Sequence, residues 1–190
     1  MRRLIIPLLG VGLIAVLVIG LTQAGSKSDQ PEAAAPTFDL HAAQRALEGS
    51  PPQLAALHAQ AGKILDSGFD KQLDKLKGRP VVINKWASWC RPCRAEFPVF
   101  QQVATDRGKE IAFIGVNAAD KRPAAEKFLA DRPLPYPSYE DPDEKIAQQL
   151  KIPKFFPMTL MIDADGKTFI KSGEYTSTEQ LQADIDKYLG

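Results

Sequence analysis

Val81-Val82-Ile83-Asn84-Lys85-Trp86-Ala87-Ser88-Trp89-Cys90-Arg91-Pro92-Cys93-Arg94 is the stretch from which the rest of the chain is read. It contains the only two cysteines of the 190-residue sequence, spaced C-x-x-C. Val81 to Lys85 is a short run rich in β-branched residues and reads as a strand. Ala95 to Val103, just beyond, reads as a helix. A strand passing through a tight turn into a helix sets Cys90 near the helix N-terminus, where unpaired backbone N–H groups and the helix dipole favour negative charge. A thiol there loses its proton more readily than a free cysteine, moving from about 8.5 toward roughly 3.5–7.5. The thiolate is the nucleophile of disulfide exchange, so the stretch points to redox chemistry.

Upstream, Thr37 to about Leu76 has helical patterning. Phe38, Leu40, Ala43 and Leu47 form one stripe, stopped by Gly49-Ser50-Pro51-Pro52. Leu54, Leu57, Ala61, Ile64 and Leu65 form a second, and Phe69, Leu73 and Leu76 mark a third. His41 and His58 lie in the first two segments without a partner motif, as surface or boundary residues. Downstream, Glu110 to Asn117 is a second apolar run of strand length, and Pro123 to Ala130 a short helix with proline at its start. Tyr136-Pro137-Ser138-Tyr139 is too proline-rich for a central strand and predicts an extended edge or crossover. Asp141 opens a helix to about Leu150. Met158 to Ile162 and Lys167 to Lys171 form a hairpin around Asp163-Ala164-Asp165-Gly166. Ser177 starts a final helix running to about Leu189. This order suits an α/β fold with a mixed sheet covered by helices on both faces.

The N-terminus carries a different signal. Met1-Arg2-Arg3 precedes Leu4 to Leu21, eighteen residues without a charge. A helix of that length spans about 27 Å, close to the ~30 Å hydrocarbon core of a bilayer. It exceeds the roughly 7–15-residue apolar region of a cleaved signal peptide, although Thr22-Gln23-Ala24 leaves cleavage open. The arginines come first, so everything after Leu21 is expected outside the cytoplasm. The domains expected are therefore a membrane anchor or uncleaved signal (1–24), a flexible linker (25–36), a helical extension (37–62) and the main domain (63–190). The extension is read as covering a sheet edge or docking a partner. The formal net charge of +1 gives no electrostatic footprint for nucleic acid.

Trp86 to Pro98, WASWCRPCRAEFP, resembles the active-site segment of the thioredoxin superfamily, specifically its membrane-anchored TlpA/ResA-like branch, and the resemblance extends over roughly residues 63–190. It implies a thioredoxin-like fold and a thiol–disulfide oxidoreductase with no cofactor beyond the redox pair. In that family Cys90 would be the exposed nucleophile and Cys93 the buried resolving thiol. Trp89, Arg91, Pro92, Phe156 and Pro157 would meet the substrate. Pro92 would stiffen the turn, and Arg91 would either help hold the thiolate or stand solvated. Phe156-Pro157-Met158-Thr159 resembles the family's cis-proline loop, although the usual threonine directly after proline is here Met158. Pro153 is the competing candidate. Glu96, three residues after Cys93, would exchange a proton with the resolving thiol, or else be an exposed helix residue. Asn84 stands where thioredoxins carry a buried aspartate and cannot ionise. Lys85 replaces the usual aromatic and predicts a strand end or an outward-facing position.

Other chemistries fit less well. Zinc needs ligands beyond the two sulfurs, and the possible partners His41 and His58 are spaced unlike common zinc ligands. Haem attachment would need histidine where Arg94 stands. A peroxiredoxin would have threonine where Ala87 stands. The resemblance implies a reductase of thiol- or disulfide-containing extracytoplasmic proteins, such as apocytochrome c, fed electrons by a membrane partner. A DsbA-type oxidase and a non-catalytic binding or chaperone module are the alternatives.

Overall fold

β2 (Val81–Trp86) is buried along its whole length, which requires a neighbour on each edge and a layer on each face. The computed structural model describes residues 38–190, so the membrane segment and linker expected over 1–36 lie outside the described residues. Among the described residues, no helix is long and apolar enough to cross a membrane. The described elements run α1 (Leu40–Ala46), α2 (Pro52–His58), β1 (Ile64–Leu65), α3 (Phe69–Lys75), β2, α4 (Arg91–Arg107), β3 (Ala112–Ala118), α5 (Arg122–Asp131), β4 (Ser138–Asp141), α6 (Lys145–Gln149), β5 (Met158–Ile162), β6 (Thr168–Ser172) and α7 (Thr178–Leu189).

The six strands lie in the order β1-β4-β3-β2-β5-β6. β1, β4, β3 and β2 pair in parallel, whereas β5 joins β2, and β6 joins β5, antiparallel. Alternation along β2 divides its side chains between two cores. Val82 and Trp86 pack with Phe97, Phe100 and Val103 of α4, Phe128 of α5 and Leu181 and Ile185 of α7. Val81 and Ile83 pack with Leu54 and Leu57 of α2, Phe69 of α3 and Ala147 of α6. The mixed sheet with helices on both faces is therefore present.

Trp86 anchors the first core. Its indole N–H donates to Ser138 Oγ at 3.0 Å, and its ring meets Phe97 edge-on at 5.1 Å. This approach requires Gly115, because a Cβ there would collide with Ser138 Oγ and crowd the indole nitrogen.

Several elements differ from the sequence expectation. Ile64 and Leu65 are a strand, because Gly62 at φ 72° turns the chain after α2 and Ile64 pairs with Ser138. Ser138–Asp141 is therefore an interior strand, flanked on one side by only the two residues of β1. Its prolines precede the ladder and remove none of its donors. The helix expected from Asp141 begins only at Lys145, since Glu144 sits at φ 57°. The Asp141 carboxylate instead accepts from the N–H groups of Ile146 and Ala147 at 3.0 and 2.9 Å.

α1 and α2 belong to the same compact unit as the remaining described residues. Leu54 and Leu57 are fully buried beneath the sheet. Leu47 and His58 crowd Gly108, the C-cap of α4. That end of the 17-residue helix lies about 25 Å from Cys90 at the other.

Candidate active site

The chain leaves β2 through Ala87-Ser88-Trp89 and enters α4 with Cys90 as N-cap in an extended conformation. Its Sγ accepts from the Cys93 N–H at 3.2 Å, so the sulfur occupies the position of a capping oxygen at the positive end of the helix. Cys90 and Cys93 are joined by a disulfide with Cα atoms 5.3 Å apart. The exposed Cys90 expected from the resemblance is only slightly accessible at 4%, against none for Cys93. It lies in the first apolar cluster, with Phe156 packed against that cluster.

Around the disulfide three segments converge. Phe156–Pro157 is a cis peptide, and the Pro157 carbonyl accepts from the Gly173 N–H at 3.1 Å beyond β6. Phe156 meets Trp89 edge-on at 5.1 Å. Trp89 and Phe155 are the large apolar side chains that remain mainly exposed among the described residues, at 59% and 73%. The loop after β3 fixes the turn from behind. Ala119, at φ 49°, offers its carbonyl to the Trp89 indole at 2.9 Å. The Asp120 carboxylate accepts from Ser88 Oγ and Asn117 Nδ2, each at 2.9 Å, and from the Ser88 N–H. Sequence reading missed this clamp, for which Asn117 and Asp120 at the end of an apolar run were the available signal.

Glu96 lies one turn beyond Cys93 on the same face of α4 and is fully buried, not an exposed helix residue. One carboxyl oxygen accepts from Asn84 Nδ2 at 2.8 Å and the other from the Tyr175 N–H at 3.2 Å. Burial pushes its carboxyl from the ordinary 4.5 up to about 8, against the opposing effects of Asn84, Tyr175 and Lys171. At pH 7 the protonated form is therefore favoured by roughly ten to one. A carboxyl poised near neutrality beside a thiol pair can take or return one proton per exchange.

Arg91 is exposed and Pro92 half-buried in the first turn of α4, while Arg94 stacks over Phe128 at 5.3 Å. Pro153 lies in the same loop as Pro157, but the cis bond is at Pro157. Lys85 contradicts its expected exposure: it has no accessible surface and reaches Glu144 Oε2 at 2.6 Å and the Pro153 carbonyl at 2.9 Å. His41 is exposed, whereas His58 is buried. Among the described residues, no group of three histidine, cysteine or acidic side chains is placed to hold a metal ion.

The Redoxin family profile matches residues 32–189. The chain belongs to the Redoxin family. Within it, the chain is 37% identical over 100 residues to a thiol:disulfide interchange protein DsbE of Pseudomonas fluorescens biotype C, covering 51% of this chain and 54% of that protein. It is 28% identical over 111 residues to the thiol-disulfide oxidoreductase ResA of Bacillus subtilis (strain 168), covering 58% and 61%. The chain thus spans between half and two thirds of the length of these curated relatives. Among solved structures, MTB dsbF matches with a TM-score of 0.56 at 28% identity, over 60% of this chain and 84% of that one. A secreted Mycobacterium tuberculosis disulfide oxidoreductase matches at 0.54 and 25%, over 60% and 85%. The fold of this Redoxin chain is thioredoxin-like.

Proposed function

We propose that this protein is an extracytoplasmic thiol–disulfide oxidoreductase that exchanges disulfides with protein substrates through Cys90 and Cys93, and that it works as a reductase. The observation that carries the reading is the Cys90–Cys93 disulfide at the N-terminus of α4, bordered by the Phe156–Pro157 segment. In the reductive direction, the Cys90 thiolate attacks one sulfur of a substrate disulfide. A mixed disulfide forms and one substrate thiolate leaves. In the fraction of molecules whose Glu96 is ionised, a fraction that grows as pH rises toward 8, Cys93 gives its proton to that carboxylate and attacks Cys90 Sγ, releasing the second substrate thiolate and closing the Cys90–Cys93 disulfide. Two electrons pass to the substrate. Restoring the pair requires two electrons from a thiol donor, and Glu96 then returns its proton to Cys93.

Trp89, Phe156 and Pro157 form the surface a substrate chain meets, with Pro92 stiffening the turn and Arg91 favouring the Cys90 thiolate. The uncharged run Leu4–Leu21 behind Arg2 and Arg3 supports a single-pass anchor with the remainder outside the cytoplasm. Residues 1–24 then anchor, 25–36 tether, 37–62 close the flank of the domain, and 63–190 carry the chemistry. Disulfides persist outside the cytoplasm unless reduced, so a reductase there needs a membrane partner to supply electrons. Relatives named thiol-disulfide oxidoreductase and thiol:disulfide interchange protein support exchange. Apocytochrome c cysteines fit the substrate class.

The reduction potential of the Cys90–Cys93 pair, measured by equilibration with dithiothreitol redox buffers, tests the direction. A reductase gives a value close to the roughly −270 mV of thioredoxin. A value near −120 mV, that of a strong thiol oxidant, overturns it.

A further inference from the structure

Lys85 is a lysine in the middle of a six-stranded sheet, with no accessible surface. It points to the face opposite Glu96, among Ile83, Met158 and Ile152, where an apolar side chain would pack without desolvating a charge. An ion pair buried there is weak evidence for stability, so its geometry is the more informative feature. The ammonium donates to Glu144 Oε2 at 2.6 Å and to the Pro153 carbonyl at 2.9 Å, and it lies 4.2 Å from the centroid of the Phe156 ring. Phe156 in turn meets Trp89, the neighbour of Cys90. Both ends of the Pro153–Phe156 segment are thus gripped by one cation. Its counter-ion comes from Glu144, held in a left-handed conformation that non-glycine residues rarely adopt. An unbroken line of contacts runs from the interior of the sheet to the aromatic surface beside the disulfide.

We propose that Lys85, with Glu144 as its counter-ion, is a positioning residue for thiol exchange: it fixes the Pro153–Pro157 segment so that Phe156 and Pro157 can seat a substrate polypeptide beside Cys90. This rests on the reading of the protein as an oxidoreductase of protein disulfides. A substrate with a polypeptide backbone needs the seated segment, whereas a small disulfide that touches only sulfur does not. The contribution therefore belongs to substrate binding, not to the reactivity of the cysteines.

The test uses the pre-reduced protein and three variants: Lys85→Met, Glu144→Gln and the double variant. The double variant leaves no unpaired charge and separates folding from positioning. Each is mixed with a glutathionylated cysteine-containing octapeptide over a concentration series and, separately, with hydroxyethyl disulfide, which has no backbone. The inference predicts that Lys85→Met and the double variant raise the half-saturating peptide concentration at least tenfold. Their limiting rate, and their rate with hydroxyethyl disulfide, stay within twofold of wild type. The double variant regains the melting temperature lost by the single variants without regaining peptide binding. A double variant with wild-type half-saturation, or variants slowed equally toward both disulfides, overturns the inference. A wild-type protein that reduces hydroxyethyl disulfide but shows no saturable reaction with the peptide overturns the protein-substrate reading itself, and the inference with it.

Discussion

Replacing Glu96 with glutamine should make the protein more stable at pH 8 and leave it nearly unchanged at pH 5. Burial raises the carboxyl from 4.5 to about 8, so between those values the folded protein holds a proton that the unfolded chain has released. A state that binds the extra proton is favoured by acid. The folded protein therefore loses stability as pH rises from 4.5 toward 8, and above that the full cost of a buried carboxylate is present. At about 1.4 kcal/mol per pH unit the span corresponds to on the order of 4–5 kcal/mol. Glutamine has the shape of the protonated acid. It can accept from the Tyr175 N–H and offer its amide to Asn84 Oδ1, which has no partner at present. Urea unfolding of the oxidised proteins, followed by tryptophan fluorescence at pH 5, 6, 7 and 8, measures the difference, and using the disulfide form keeps the cysteines from titrating. The stability of Glu96→Gln minus that of wild type should climb by several kcal/mol across the range at unchanged denaturant slope. A flat difference profile refutes the argument that Glu96 is a buried, proton-holding carboxyl. The same variant should slow resolution of the mixed disulfide by ~10²-fold and remove its dependence on pH near 8.

Asp120→Ala should leave the Ser88 hydroxyl and the Asn117 amide without their acceptor, costing about 1–3 kcal/mol and shifting the Trp89 indole N–H resonance in a ¹H–¹⁵N spectrum. An unmoved indole would show that the clamp does not set the turn. His58 titrates with the opposite sign from Glu96: burial holds its pKa below the ordinary 6.5, so stability is complete above that pH and declines as pH falls through it. His58→Met should remove that acid-side decline, read from thermal melts between pH 5 and 7. Phe97→Ala, emptying the space between Trp86 and Phe128, should cost about 3–5 kcal/mol by chemical denaturation.

The strand-turn-helix around Cys90 was legible because its signals are local: β-branched residues, a capping position and a proline at the helix start. The closing hairpin and α7 were legible for the same reason, with Asp163 and Ser177 placed where turn and cap chemistry needs them. Lys85 was misread because its partner lies 59 residues away, and nothing within β2 announces that Glu144 and Pro153 will come beneath it. Ile64 and Leu65 continue a helical spacing, and only pairing with Ser138 and Tyr139 makes them a strand. Asp141 and Glu144 look like the acidic first turn of a helix. One caps α6 from the end of β4 and the other serves Lys85. The burial of Glu96 depends on Tyr175, which α7 and the preceding loop bring back across the sheet.

Trapping with Cys93→Ser tests the central claim most directly. With the resolving thiol removed, Cys90 should halt at the mixed disulfide with its substrate. Cell envelopes quenched in acid and alkylated should contain adducts of this protein that dithiothreitol dissolves and that a Cys90→Ser/Cys93→Ser double variant lacks. An envelope with no such adduct, or adducts that persist in the double variant, would contradict thiol exchange through Cys90.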